Sequence, residues 1–179
     1  MKVLILGIGN ILFGDEGIGV HLSNFLKLNY AFKSTNHTLE IVDGGTLAQR
    51  LIPLITEQDF VILLDCINAD NANVGDVFAF DFSAIPLNVN WQGTAHEVEM
   101  LQTLKMVELL GDLPPVKIIA VIPEILESDT TFKLSSSVKN SAMIMKDEVF
   151  KILKELDFEI TQIDSRDLQD IANRSYLGF

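Results

Sequence analysis

Val3-Leu4-Ile5-Leu6-Gly7-Ile8-Gly9-Asn10-Ile11-Leu12-Phe13-Gly14-Asp15-Glu16-Gly17 is the stretch that decides the fold. Its opening run, residues 2–6, is continuously apolar after one Lys, as a strand covered on both faces must be. Gly7 and Gly9 then let the backbone leave that strand sharply. Beyond Glu16, the residues Ile18, Leu22, Phe25 and Leu26 mark one face of a helix. A buried strand that feeds a helix through a Gly-rich turn is the first half of a parallel βαβ unit.

The pattern repeats downstream. Residues 38–42 read as a second strand, Asp43-Gly44-Gly45 as a turn, and Thr46 as the cap of a helix running to about Ile55. Phe60-Val61-Ile62-Leu63-Leu64 is a third strand that ends directly on Asp65. A polar stretch at 68–75 leads to a strand at 77–82, whose hairpin-like spacing predicts an antiparallel edge. Residues 83–93 read as an irregular loop, long for a plain connection. Thr94-Ala95-His96-Glu97 is a capping box opening a helix with Val98, Leu101, Leu104 and Val107 on one face. A fourth strand covers 116–122 and stops at Pro123. Ser135–Ser137 caps a long helix carrying Val138, Ala142, Met145, Val149, Ile152 and Leu156. A last strand is expected at 158–163. Strands alternating with helices predict an α/β fold, a largely parallel sheet with helices on both faces and an antiparallel edge strand. Residues 1–163 form one domain in this reading, and 164–179 a C-terminal tail or docking helix.

The 179 residues are 48% apolar, enough for a core, and carry a net charge of −12. That charge argues against duplex nucleic acid or an anionic membrane as partner, since both reward basic patches. The one Cys, Cys66, excludes an intrachain disulfide and a Cys-rich metal site, and suits a reducing compartment. The opening residues read as a strand rather than a signal peptide, and no apolar run is long enough to span a bilayer. A soluble cytoplasmic protein is expected.

Glu16 and Asp65 both follow strand-like runs, and acidic groups at two strand ends can meet on one cation or one reacting centre. His96, in the first turn of its helix, is kept neutral by the positive helix end and so fit to ligate. Two carboxylates and an imidazole can hold a divalent first-row metal with positions left open. The three are 49 and 31 residues apart, so they form no local metal motif. Asp15 reads as a helix cap, Cys66 as a small core residue, and His21 and His37 as ordinary. Gly7-Ile8-Gly9 also begins like a dinucleotide fingerprint, but Leu12 stands where that motif needs its third Gly, and the close helix–strand approach is then expected to be missing.

The run from Gly7 to Gly19 resembles the N-terminal signature of the hydrogenase maturation endopeptidases. The resemblance continues in order through Asp43-Gly44-Gly45-Thr46, the strand ending on Asp65, His96 at a helix start, and Val121-Ile122-Pro123-Glu124. It implies a three-layer α/β/α sandwich around a twisted sheet. It implies metal positions at Glu16, Asp65 and His96, and a role for the Asp43 loop in substrate engagement or cleavage. The implied activity is an aspartyl or metal-dependent type of endopeptidase. It would remove a C-terminal extension from the nickel-loaded large-subunit precursor of a nickel–iron hydrogenase. The ion would be the substrate's nickel, used as a recognition anchor, with zinc or cadmium able to replace it in vitro. A monomer acting on one large precursor is the expected state. Two other readings stay open here: a non-catalytic nickel chaperone or scaffold for the same precursor, and a nucleotide-binding α/β domain.

Overall fold

The computed structural model describes residues 1–85, 89–90, 95–124 and 130–179, with the backbone alone at 89–90 and 95–98. In chain order the elements are β1 (Lys2–Ile8), α1 (Ile18–Asn29), β2 (Tyr30–Lys33), β3 (Thr38–Gly45), α2 (Ile52–Thr56), β4 (Phe60–Cys66) and β5 (Asn68–Ala69). They continue as β6 (Val77–Asp81), β7 (Val89–Asn90), α3 (Ala95–Leu110), β8 (Val116–Val121), α4 (Ser136–Glu155), β9 (Glu159–Gln162) and α5 (Leu168–Ala172).

Five strands form the main sheet in the order β3-β1-β4-β8-β6. The first four are parallel, and β6 runs antiparallel along β8 as the edge. Because side chains alternate along a strand, each apolar run supplies two cores at once. Val3 and Ile5 of β1, with Ile62 and Leu64 of β4, meet α1, α4 and α5 on one face. Leu4 and Leu6, with Val61 and Leu63, meet α2 and α3 on the other. Each fully buried Leu or Ile side chain contributes about 2 kcal/mol. The result is the expected three-layer α/β/α sandwich. Ser135 caps α4 through its side chain, which accepts the Val138 amide at 3.1 Å. No helix among the described residues is long and apolar enough to cross a membrane.

Several expectations are corrected. Asp43, Gly44 and Gly45 do not turn the chain; they extend β3 past a bulge where Gly7 pairs with Asp43 and Ile8 with Gly45. Gly45 takes φ +57°, the left-handed conformation that lets the strand continue beyond the extra residue. Thr46 caps nothing: a 3-10 turn at Ala48–Leu51 precedes α2, and Pro53 fits the first turn because its missing N–H has no partner there anyway. The strand at β2 is not predicted by the sequence pattern, since four residues carry too little periodicity to register. It pairs antiparallel with β9 in a small separate sheet. The region read as loop at 83–93 contains β7, which pairs with β5. Thr94 of the expected capping box lies outside the described residues.

Residues 164–179 lie along α1. Asp167 caps α5 by accepting the Gln169 and Asp170 amides. Leu168 and Ala172 then enter the same core as α1 and α4.

Candidate functional site

From β1 the chain passes through α1 to β3 on one side, and from β3 through α2 to β4 on the other side of β1. The carboxyl ends of β1 and β4 therefore send the chain in opposite directions. Such a switch point opens a crevice, the usual ligand site of a parallel α/β sheet.

Glycines seat the loop after β1 in that crevice. A Cβ on Gly19 would run into the carbonyl oxygens of Leu64 and Ile8, so the first turn of α1 rests directly on the ends of β4 and β1. At Gly9, φ +145°, a Cβ would strike the carbonyl oxygen of Glu16. The close helix–strand approach expected to be missing is thus present, made by Gly19 instead of a glycine at position 12. The same packing fills the Gly-rich turn with the Glu16 backbone, and Asp15 and Glu16 add negative charge there, so no phosphate cradle remains.

Glu16 sits on a 3-10 turn, Gly14–Gly17, whose Glu16 amide donates to Phe13 O at 3.2 Å. The side chain is half-buried, and that burial raises its pKa by removing water from the charged form. The turn packs against β4. Asp65, fully buried, is the penultimate residue of β4, and its Oδ1 accepts the Cys66 amide at 2.8 Å. Asp65 shares the parity of Val61 and Leu63 and so belongs to the face covered by α2 and α3. His96 stands on the first turn of α3; its side chain lies outside the described residues. Among the described side chains, which do not include His96, no three His, Cys, Asp or Glu groups converge. Asp43 is apart from the others. It is exposed on the edge strand, two strands from Asp65, or about 10 Å across the sheet. Its Oδ1 accepts the Gly45 amide at 3.0 Å.

Asp15 is not a helix cap. Gly17 occupies the cap position of α1 and makes no side-chain bond there. Asp15 is 1% exposed, and its two oxygens accept the amides of Glu124 at 3.0 Å and Ser135 at 2.8 Å. It ties the Glu16 turn to both ends of the loop between β8 and α4. Those partners are 109 and 120 residues away in sequence, so no local signal points to them. The loops are also joined by main chain: Gly14 N donates to Thr131 O and Thr131 N to Leu12 O, both at 2.8 Å. Leu12 and Phe13 remain 43% and 41% exposed beside the turn, and Leu47, beyond the end of β3, is 49% exposed.

His21 is not ordinary either. It is fully buried under the turn, and burial lowers its pKa to about 4. Its Nδ1 lies 2.8 Å from Ser175 Oγ in the C-terminal segment.

A sequence model described as hydrogenase maturation protease matches residues 20–154 of the chain. Over 160 residues the chain is 53% identical to protein HydD of Wolinella succinogenes, covering 89% of this chain and 100% of that one. It is 30% identical over 128 residues to the hydrogenase 2 maturation protease of Escherichia coli K12, covering 71% of this chain and 76% of the relative. The solved structure of the hydrogenase maturating endopeptidase HybD from E. coli superposes with a TM-score of 0.76 at 26% identity, covering 90% of this chain and 98% of that one. The NiFe hydrogenase maturation protease HybD from Thermococcus kodakarensis shares the fold, with a TM-score of 0.66 at 22% identity over 86% of this chain and 99% of that one.

Proposed function

The chain belongs to the hydrogenase maturation protease family, and from that premise we propose that it removes a C-terminal extension from a nickel-loaded hydrogenase large-subunit precursor. One observation supports this reading: the Glu16 turn packs on β4 beside buried Asp65 at the switch point of the sheet.

Glu16, Asp65 and His96 are the residues that would hold the precursor's nickel. The donor set fits, since two carboxylates balance a divalent charge and carboxylate with imidazole suits nickel or zinc. A partly desolvated carboxylate such as Glu16 gains most from a cation, because the cation replaces the lost water. The ion supplies positive charge beside the scissile segment. The same donors would accept zinc or cadmium in vitro. In this reading exposed Asp43 would meet the precursor's chain rather than its ion, together with exposed apolar Leu12, Phe13 and Leu47. Water is the nucleophile, and the reaction is a cytoplasmic one carried out by a monomer.

The test is the intact mass of a nickel-loaded large-subunit precursor before and after addition of the protein. A single C-terminal loss that requires nickel is expected. Stable binding with no change of mass would replace the peptidase reading with that of a nickel chaperone.

A further inference from the structure

The C-terminal segment lies beyond the span matched by the family model, yet it reaches the Glu16 turn by two separate routes.

The first route runs through His21. Ser175 Oγ donates to Ile171 O at 3.1 Å, so the Ser175 lone pairs are left to face the imidazole. His21 Nδ1 therefore carries the proton and donates to Ser175 Oγ at 2.8 Å. Nε2 is the bare nitrogen, with no hydrogen-bond partner among the described residues. It faces the turn: a Cβ on Gly17 would sit 2.7 Å from Nε2. The ring is thus a wedge between Ser175 and the residue that follows Glu16.

The second route runs through Gln169. Its Oε1 accepts the Leu134 amide at 2.9 Å, and its Nε2 donates to Phe132 O at 2.8 Å. The adjoining Ser135 amide donates to Asp15 Oδ1, and Asp15 is the residue before Glu16. Tyr176 packs its ring on Phe132, centroids 5.8 Å apart. The segment is itself anchored at the far end of α1, where the Asn29 side chain donates to Arg166 O at 3.0 Å and accepts the Arg166 amide at 2.7 Å.

We propose that residues 167–179 form a positioning brace for the Glu16 turn, acting through Ser175–His21 on one flank and Gln169–Leu134 on the other. The role in cleavage rests on the reading of Glu16 given above; the mechanical role does not. The brace fixes where the Glu16 carboxylate stands relative to Asp65, on which a shared ligand depends.

The test uses the full chain with Ser175→Ala, Gln169→Ala and the double variant. Amide hydrogen exchange is followed by mass spectrometry in peptides covering 10–17 and, as internal reference, β4 and α4. Removal of one partner from a buried hydrogen bond predicts exchange about tenfold faster at the turn. The β4 and α4 peptides should exchange as in the wild type, which a general loss of stability would not allow. In precursor cleavage the KM should rise about tenfold with kcat little changed, because a displaced Glu16 weakens the grip on the ion. Unchanged exchange at 10–17 overturns the brace, and faster exchange there with unaltered cleavage overturns its role in cleavage. Glu16→Gln assayed in parallel separates the two readings: normal cleavage by that variant overturns the site assignment, while exchange still judges the brace.

Discussion

Glu16 is a carboxylate held partly out of water by its own turn, and the cost of that burial has a measurable sign. Its pKa is raised in the folded chain, so just above the ordinary glutamate range the folded state binds more protons than the unfolded one. Stability from this group is present at low pH and lost as pH rises through the raised value. Glu16→Gln should therefore melt at or slightly above the wild-type temperature at pH 7 in chelator-treated buffer, while precursor cleavage is abolished. Asp65→Asn and His96→Ala should abolish cleavage as well, with the fold retained by circular dichroism. A variant among the three that matures the precursor at the normal rate drops out of the mechanism. His21 has the opposite sign. Its pKa of about 4 lies below the 6.5 of an exposed imidazole, so between those values the unfolded chain binds the extra proton. The stability is fully present above 6.5 and falls as the pH drops toward 4, by at most about 1.4 kcal/mol per pH unit. Tm measured from pH 7 to 4 should fall more steeply for the wild type than for His21→Asn, whose amide keeps a donor toward Ser175. Equal slopes would show that another group carries the acid sensitivity.

At the scale of elements, the βα junctions are set by backbone contact, and two glycines separate contact from conformation. A Cβ at Gly19 would meet main-chain oxygens of both β1 and β4, which cannot move without disturbing the sheet. At Gly45 a Cβ meets nothing within 4 Å, and only the positive φ of +57° is at stake. Gly45→Ala should cost about 1–2 kcal/mol, the ordinary penalty of the left-handed region. Gly19→Ala should cost about 3 kcal/mol or more, the upper end of overpacking. Urea denaturation of the two variants ranks them, and a Gly19→Ala milder than Gly45→Ala would mean that α1 does not rest on the strand ends. The contrast also explains what was legible in the sequence. β1, β4, β8, α1 and α4 follow from runs and stripes of local residues, and so do the positions of Glu16 after β1 and Asp65 near the end of β4, because a strand end is a local signal. The short β2 has no such signal. The spacing of the glycines does not reveal the helix–strand approach at Gly19. What matters is which backbone each glycine meets, and Leu64 is 45 positions away.

The whole molecule is where Asp15, His21 and Gln169 acquire their meaning. The contacts of all three are illegible in the sequence, since each bonds to chain more than 30 positions distant. Asp15 draws the Glu16 turn, the end of β8 and the start of α4 to one buried carboxylate. Both oxygens are acceptors, and both face main-chain N–H groups. In Asp15→Asn one of these amides must confront an NH2 instead, a donor against a donor at a position only 1% exposed. The penalty for one unsatisfied buried group is about 1–3 kcal/mol. In a chain of this size that lowers Tm by roughly 2–10 °C. The effect should extend beyond stability, because the loop that loosens is the one holding the Glu16 turn. Cleavage of the precursor should fall even at 20 °C, where the variant is still folded, and Glu124→Ala should not reproduce the loss, since Asp15 bonds only its backbone amide. An Asp15→Asn that melts and cleaves like the wild type would reduce the bridge to a passive contact. A loss of stability with full activity would show that the position of the Glu16 turn does not depend on the Asp15 bridge.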